Sequence, residues 1–134
     1  MNKGLFKFMD YNLNTMSSQE VFDASAKHLL TQGKRSRNEN GEFLNLCLYR
    51  HENLKCAAGI FIPDDKYDPQ MEKQSWTLLS NNYPFLRSEH TNLIGKLQII
   101  HDQSSPEMWF FKLNQLAKSF GLKPYEIEKS QTNI

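Results

Sequence analysis

Two cysteines and four histidines are the residues of this chain that are best suited to nucleophilic chemistry. A cysteine hydrolase needs a thiolate, a base within hydrogen-bond reach and a group that orients the base. Cys56 could supply the thiolate, His90 or His101 the base, and Asp102 the orienting carboxylate. Asp102 directly follows His101, however, and adjacent residues on a helix point about 100° apart. We therefore do not expect these two side chains to bond each other, and a hydrolase centred on Cys56 is the alternative hypothesis.

A zinc site is a second chemical possibility. Cys47, His51 and Cys56 follow the pattern C-x3-H-x4-C, and His28 or His90 could be the fourth ligand of a tetrahedron. Structural zinc sites usually present two tight ligand pairs, and this sequence contains no CxxC. We expect no metal and no other cofactor.

A packing role accounts for the same residues with fewer requirements. The run from residue 56 to 59, Cys-Ala-Ala-Gly, consists of small side chains that allow close approach of neighbouring segments. Cysteine itself is often buried as a small apolar residue. The acidic residues that follow are suited to capping or turning the backbone; they are Asp64, Asp65 and Asp68. We favour this interpretation, in which Cys56 is a core residue.

Composition limits the class of protein. The chain has 134 residues, of which 39% are apolar and 23% are charged, and its formal net charge is +1. These values are typical of one soluble globular domain, and they give no overall field that would attract nucleic acid or an anionic membrane. The apolar run near the start is too short for a signal peptide or a membrane span. Two cysteines without a disulfide pattern fit the cytoplasm.

The first predicted element is a helix that begins after Ser17. Glu20 stands three residues later, which is the spacing of a capping box, and Gly33 is suited to end the helix. Apolar and small residues between them recur at helical spacing and predict a buried face. His28 borders that face, and we expect its ring to bond a carbonyl group.

A basic cluster follows the helix and contains Lys34, Arg35 and Arg37. No aromatic residue lies within it to stack on bases, so we expect a solvated loop and no nucleic-acid partner. Asn40 and Gly41 then predict a turn.

The middle of the chain allows two arrangements. Residues 43–49 and 56–62 could pair as a β-hairpin, or the second segment could be a short helix that ends before Pro63. We prefer the helix, and in that case the helix dipole would lower the pKa of the Cys56 thiol. Residues 64–69 predict a turn or a single helical turn, and residues 70–80 show no clean period.

Two further helices are predicted near the carboxyl end. Residues 88–102 show helical spacing, and Ser105 with Pro106 opens a last helix that Gly121 ends. Its predicted buried face contains Trp109, Phe110, Leu113, Leu116, Ala117 and Phe120. The fold class is therefore a helix-rich α+β single domain over residues 17–122, with an amino-terminal helix, a small hairpin or strand pair and a carboxyl-terminal helical pair. Residues 1–16 are expected to form an arm and residues 123–134 a polar tail.

Five stretches of the sequence form a recognisable series. They are HLLTQGKRS, CLYR, KCAAGIFIPDDKYDP, LQIIHD and PEMWFFKLNQLAKSFGL. Together they resemble a family of short, uncharacterised proteins from phages, prophages and bacteria. The resemblance covers about nine tenths of the chain and is most specific at residues 55–69. It implies a small cytosolic protein associated with mobile elements, and it supplies no site residues.

These observations together predict a binding or regulatory protein rather than an enzyme. The expected partner is another protein, in particular a host protein on which a phage-encoded accessory factor would act. Aromatic residues dominate binding hot spots, and the candidate anchors are Tyr67, Trp76, Tyr83 and Phe85. For Trp76, core packing is the favoured alternative.

Overall fold

The computed structural model describes residues 11–37 and 47–126. In these ranges the chain is helix-rich α+β, with four α-helices and one two-stranded antiparallel sheet, as the sequence predicts. None of these helices is long and apolar enough to cross a bilayer. In chain order the elements are α1 (Ser18–Gln32), β1 (Arg50–His51), β2 (Leu54–Lys55), α2 (Trp76–Asn82), α3 (Thr91–Gln103) and α4 (Pro106–Ser119).

Helix α1 has both of the ends that the sequence predicts. The Glu20 amide donates to the Ser17 hydroxyl, and the Ser17 amide donates to the Glu20 carboxylate, so two free amides of the first turn are satisfied. Gly33 adopts φ 75° and donates its amide to the Leu29 carbonyl. This left-handed conformation suits glycine because it has no Cβ.

The core lies where α1, α3 and α4 pack against one another. Helix α3 also packs against the short helix α2. The largest fully buried side chains include Trp109, Phe22, Phe61, Leu29, Ile62, Met71, Leu79, Leu86, Ile94, Leu97 and Leu113. Apolar burial of this kind is the main favourable contribution to folding, and it fixes the three long helices relative to one another.

The sheet is smaller than the hairpin considered from the sequence. Arg50 pairs with Lys55 and His51 with Leu54, around a turn in which Glu52 has φ 56°. Residues 56–62 therefore do not form its second strand. Their helical part is the 3₁₀ segment Gly59–Phe61, so the predicted short helix before Pro63 is reduced to three residues, and Cys56 does not stand at its N-terminus. The predicted turn at Asn40–Gly41 and residues 43–46 of the predicted strand lie outside the described residues.

Residues 63–86 consist of short helical pieces. The 3₁₀ turn Asp64–Lys66 matches the predicted single turn, and a second 3₁₀ segment, Pro69–Lys73, has the Asp68 carboxylate as its cap. Helix α2 follows, and Tyr83 with Pro84 ends it. Residues 72–77 of this segment form one wall of a surface groove.

The two ends of the described chain meet. Gln19 on α1 donates to the Lys123 carbonyl at 3.1 Å and accepts from the Lys123 amide at 2.8 Å. Before α1, Leu13 is buried and the Tyr11 ring contacts the Phe61 ring edge-on at 5.4 Å. Residues 11–16 of the expected arm thus pack on the domain. Residues 1–10 of the arm and 127–134 of the tail lie outside the described residues.

Candidate functional site

Cys56 is the first residue of the small-residue run and is fully buried. Its amide donates to the Tyr49 carbonyl at 3.2 Å, and its sulfur accepts a hydrogen bond from the Gly59 amide at 3.2 Å. Burial raises the pKa of the thiol, whereas a helix N-terminus would have lowered it. These are the surroundings of a packed core residue rather than of a reactive nucleophile.

Two of the histidines bond backbone carbonyl groups. His28 Nε2 donates to the Lys55 carbonyl at 2.8 Å, as the sequence predicts. His90 is buried at the start of α3, where its Nε2 donates to the Met16 carbonyl at 2.7 Å. With that proton on Nε2, Nδ1 accepts from the Ser18 hydroxyl, 3.4 Å away. Both rings therefore tie segments together.

His101 belongs to a cluster that sequence reasoning missed. The ring is fully buried and stacks on Trp109 with its centroid 5.6 Å away. The Ser36 amide donates to Nε2 at 3.0 Å, so Nδ1 carries the proton and donates to Asp102 Oδ1 at 2.7 Å. The expectation that His101 and Asp102 do not bond is wrong, because Cβ directions 100° apart still allow the ring and the carboxylate to bend towards each other.

Cys47 completes the cluster and bonds the same carboxylate. Its thiol donates a hydrogen bond to Asp102, and burial together with this nearby negative charge raises the pKa of the thiol to about 11. The thiol and the imidazole thus both donate to the same carboxylate, and the other ring nitrogen of His101 accepts the Ser36 amide. A hydrolase needs an imidazole nitrogen that is free to accept the thiol proton, so this cluster lacks the arrangement of a catalytic triad.

The same three residues are the one set in residues 11–37 and 47–126 with ligand atoms close enough for a metal ion, all within 4.8 Å of one another. A metal on His101 Nδ1 would require the proton to move to Nε2, where it would oppose the Ser36 amide. The donor set therefore does not suit a metal. Cys47, His51 and Cys56, the zinc ligands considered from the sequence, do not come together; His51 Nε2 lies 3.9 Å from Glu52.

Cys47 and Asp102 stand at one side of an open groove of about 560 Å³. One wall is the outer face of α3, with Gly95, Lys96 and Ile99, and the other is formed by Tyr49 and the segment from Glu72 to Thr77. Glu72 holds the second wall together. Its carboxylate accepts the amides of Tyr49 at 2.7 Å and Arg50 at 3.1 Å, and the Tyr67 hydroxyl.

The candidate aromatic anchors have different environments. Tyr67 is half-buried, bonds Glu72 and lies under the Arg50 guanidinium. Trp76 is buried in the core, as the favoured alternative for this residue predicted. Tyr83 is half-buried and contacts Phe85, and Phe85 is 38% exposed with the Lys66 ammonium 5.4 Å from its ring centroid. Phe85 is thus the most exposed of the four.

The basic cluster is partly built into the fold. Arg35 donates to the carbonyls of His101 at 3.1 Å and Ser104 at 2.6 Å, at the carboxyl end of α3. Cations are favourable there because the helix dipole is negative. Arg37 pairs with Cys47 in an isolated β-bridge, whereas Lys34 is exposed. The expectation of a solvated loop therefore holds for Lys34 and not for Arg35.

Helix α4 carries an exposed apolar face that the sequence interpretation only partly anticipated. Met108 is 42% exposed, Phe110 43% and Phe111 55%. Phe110 was expected on the buried face, but it lies at the margin of the stripe formed by Trp109, Leu113 and Ala117. Three large apolar side chains within four residues thus face solvent.

Comparison with protein-family models, with curated proteins and with solved structures finds no match to this chain. The geometry above is therefore the basis for the functional proposals that follow.

Proposed function

We propose that this chain is a small cytoplasmic protein-binding module, an accessory factor that acts on a host protein through the exposed face of α4. The observation that carries the proposal is the exposure of Met108, Phe110 and Phe111 in the first two turns of a helix whose other face is core. Contiguous exposed apolar side chains are a common mark of interaction surfaces. Aromatic residues also lose little conformational entropy on binding and dominate hot spots.

The charges around this face indicate the partner's chemistry. Lys112 and Lys118 are exposed on α4, against one exposed glutamate, Glu107, in its first turn. A matching partner surface would offer an apolar pocket edged mainly by carboxylates. The resemblance to phage and prophage proteins is what directs the proposal to a host protein.

The test compares two substitutions of matched size and exposure. Phe111 is 55% exposed on α4, and Leu78 is 50% exposed on α2. Each is replaced by aspartate in the full chain, and both variants should keep the wild-type unfolding transition because neither side chain is core. Wild type is used to retain a partner from host lysate, and the partner is then purified and titrated by calorimetry.

Phe111→Asp should weaken binding by at least about 2 kcal/mol, or about 30-fold in Kd, and Leu78→Asp should leave Kd within about twofold. Equal binding by wild type and Phe111→Asp would refute the assignment of α4. Sedimentation of the free protein tests whether a second copy of this chain, rather than a host protein, covers the exposed face of α4. A dimer that Phe111→Asp dissociates would show that α4 serves self-association instead.

A further inference from the structure

The groove between α3 and residues 72–77 has positive charges that no residue described in the structure neutralises. Lys73 and Lys96 both line it, both are exposed, and neither forms an ion pair within residues 11–37 and 47–126. The volume of about 560 Å³ lies within the range of small-molecule sites. The groove thus has the size of a ligand site and cations available to an anion.

The carboxylates of the groove, by contrast, are already engaged. Glu72 accepts two backbone amides and a tyrosine hydroxyl. Asp102 accepts from His101, from Gln98 Nε2 at 2.8 Å and from the Cys47 thiol. A cationic ligand would have to compete with these donors, whereas the ammonium groups of Lys73 and Lys96 have no ion-pair partner among the described residues. The groups of the groove that are available to a charged ligand are therefore its two lysines, and such a ligand would be an anion.

The remaining lining favours an apolar body. Ile99 is 50% exposed, and Tyr49 and Trp76, whose side chains are almost fully buried, belong to the opposite wall. The buried Nε1 of Trp76 has no hydrogen-bond partner among the described residues. At Gly95, a Cβ would meet no atom within 4 Å. The helix backbone itself is therefore accessible there.

From these observations we propose that the groove binds a small aromatic carboxylate. Its ring lies over Gly95 and against Ile99, facing the wall that contains Trp76, and its carboxylate is held by Lys96 or Lys73. This site is independent of the proposed interaction surface, because no residue of α4 lines the groove.

The experiment titrates the ¹⁵N-labelled full chain with 2-naphthoate and, in parallel, with the neutral isostere 2-naphthalenemethanol. The protein has two tryptophans and hence two indole N–H signals, which Trp76→Phe assigns. Trp109 is the internal control, because its Nε1 donates to the Ser104 carbonyl at 3.1 Å outside the groove. The Trp76 signal should shift in a saturable way with a Kd of about 1 mM or lower, and the Trp109 signal should move little.

Two variants separate the contributions of charge and space. Lys96→Ala should weaken naphthoate binding about two- to fivefold and leave the neutral compound unaffected. Gly95→Leu fills the groove at a half-buried position of α3 where a Cβ meets no atom within 4 Å, and it should abolish saturation while the protein stays folded. No shift at Trp76, equal shifts of both indoles, or equal binding of the alcohol and the carboxylate would each overturn the proposal.

Discussion

Among the glycines that the structure describes, Gly59 is the one at which a side chain would clash with the backbone. A Cβ at this position would lie 2.2 Å from the Tyr49 carbonyl oxygen and 3.1 Å from its carbon. The first distance is about 1 Å shorter than a carbon–oxygen contact of about 3.3 Å. The same carbonyl accepts the Cys56 amide, so a displacement that relieves the clash also weakens this hydrogen bond.

Gly59→Ala should therefore lower the free energy of unfolding by about 2 kcal/mol. Overpacking contributes about 1–3 kcal/mol and the strained hydrogen bond about 1 kcal/mol. Reduced freedom of the unfolded chain offsets about 0.5–1 kcal/mol. Gly95→Ala is the matched control, because its new methyl group would meet no atom within 4 Å in the middle of α3. It should raise stability by up to about 1 kcal/mol.

Urea unfolding followed by circular dichroism measures both variants, and an unchanged slope of free energy against urea would show that the midpoint reports stability. The two substitutions add the same methyl group. Opposite changes in the free energy of unfolding would therefore isolate the effect of the Tyr49 carbonyl. A loss below about 1 kcal/mol for Gly59→Ala, or a shift of both midpoints in one direction, would refute the close-packing argument.

Two further predictions concern protons. Burial lowers the folded-state pKa of His28 from its ordinary 6.5. The unfolded chain therefore binds more protons, and the free energy of unfolding falls as the pH drops from 6.5 through the folded pKa. In urea unfolding, His28→Gln should show a weaker pH dependence across this window. Asp102→Asn removes the charge that helps to raise the pKa of the Cys47 thiol, so iodoacetamide should modify Cys47 faster at pH 8 than in wild type, as mass spectrometry can measure. Cys56 is the control in both proteins and should react only after denaturation, whereas an unchanged Cys47 rate would contradict the assigned role of Asp102.

Features that depend on neighbouring residues could be predicted from the sequence. The ends of α1 are an example, because Ser17, Glu20 and Gly33 each lie within three or four residues of the backbone groups that they bond. Pro106 likewise opens α4. The packing of Cys56 could be inferred from residue size, since a small buried residue needs no distant partner to be recognised.

Long-range associations could not be inferred in this way. Ser36 and Cys47 meet His101 and Asp102 from far along the chain, and nothing in their local patterns indicates it. Phe110 was misplaced because helical spacing tolerates an error of one position at the margin of a stripe. Residues 69–82 were missed as helical pieces because turns this short show too few repeats of a period.

The pairing of Gln19 with Lys123 closes a loop across 104 positions of the sequence. The entropy cost of closing a loop grows only with the logarithm of the loop length. The chain must nevertheless lose this entropy before the contact contributes any stability. Joining the two ends of this sequence by a flexible linker, and opening the chain at a surface turn such as Glu52–Asn53, should give a circular permutant that retains the native arrangement of helices.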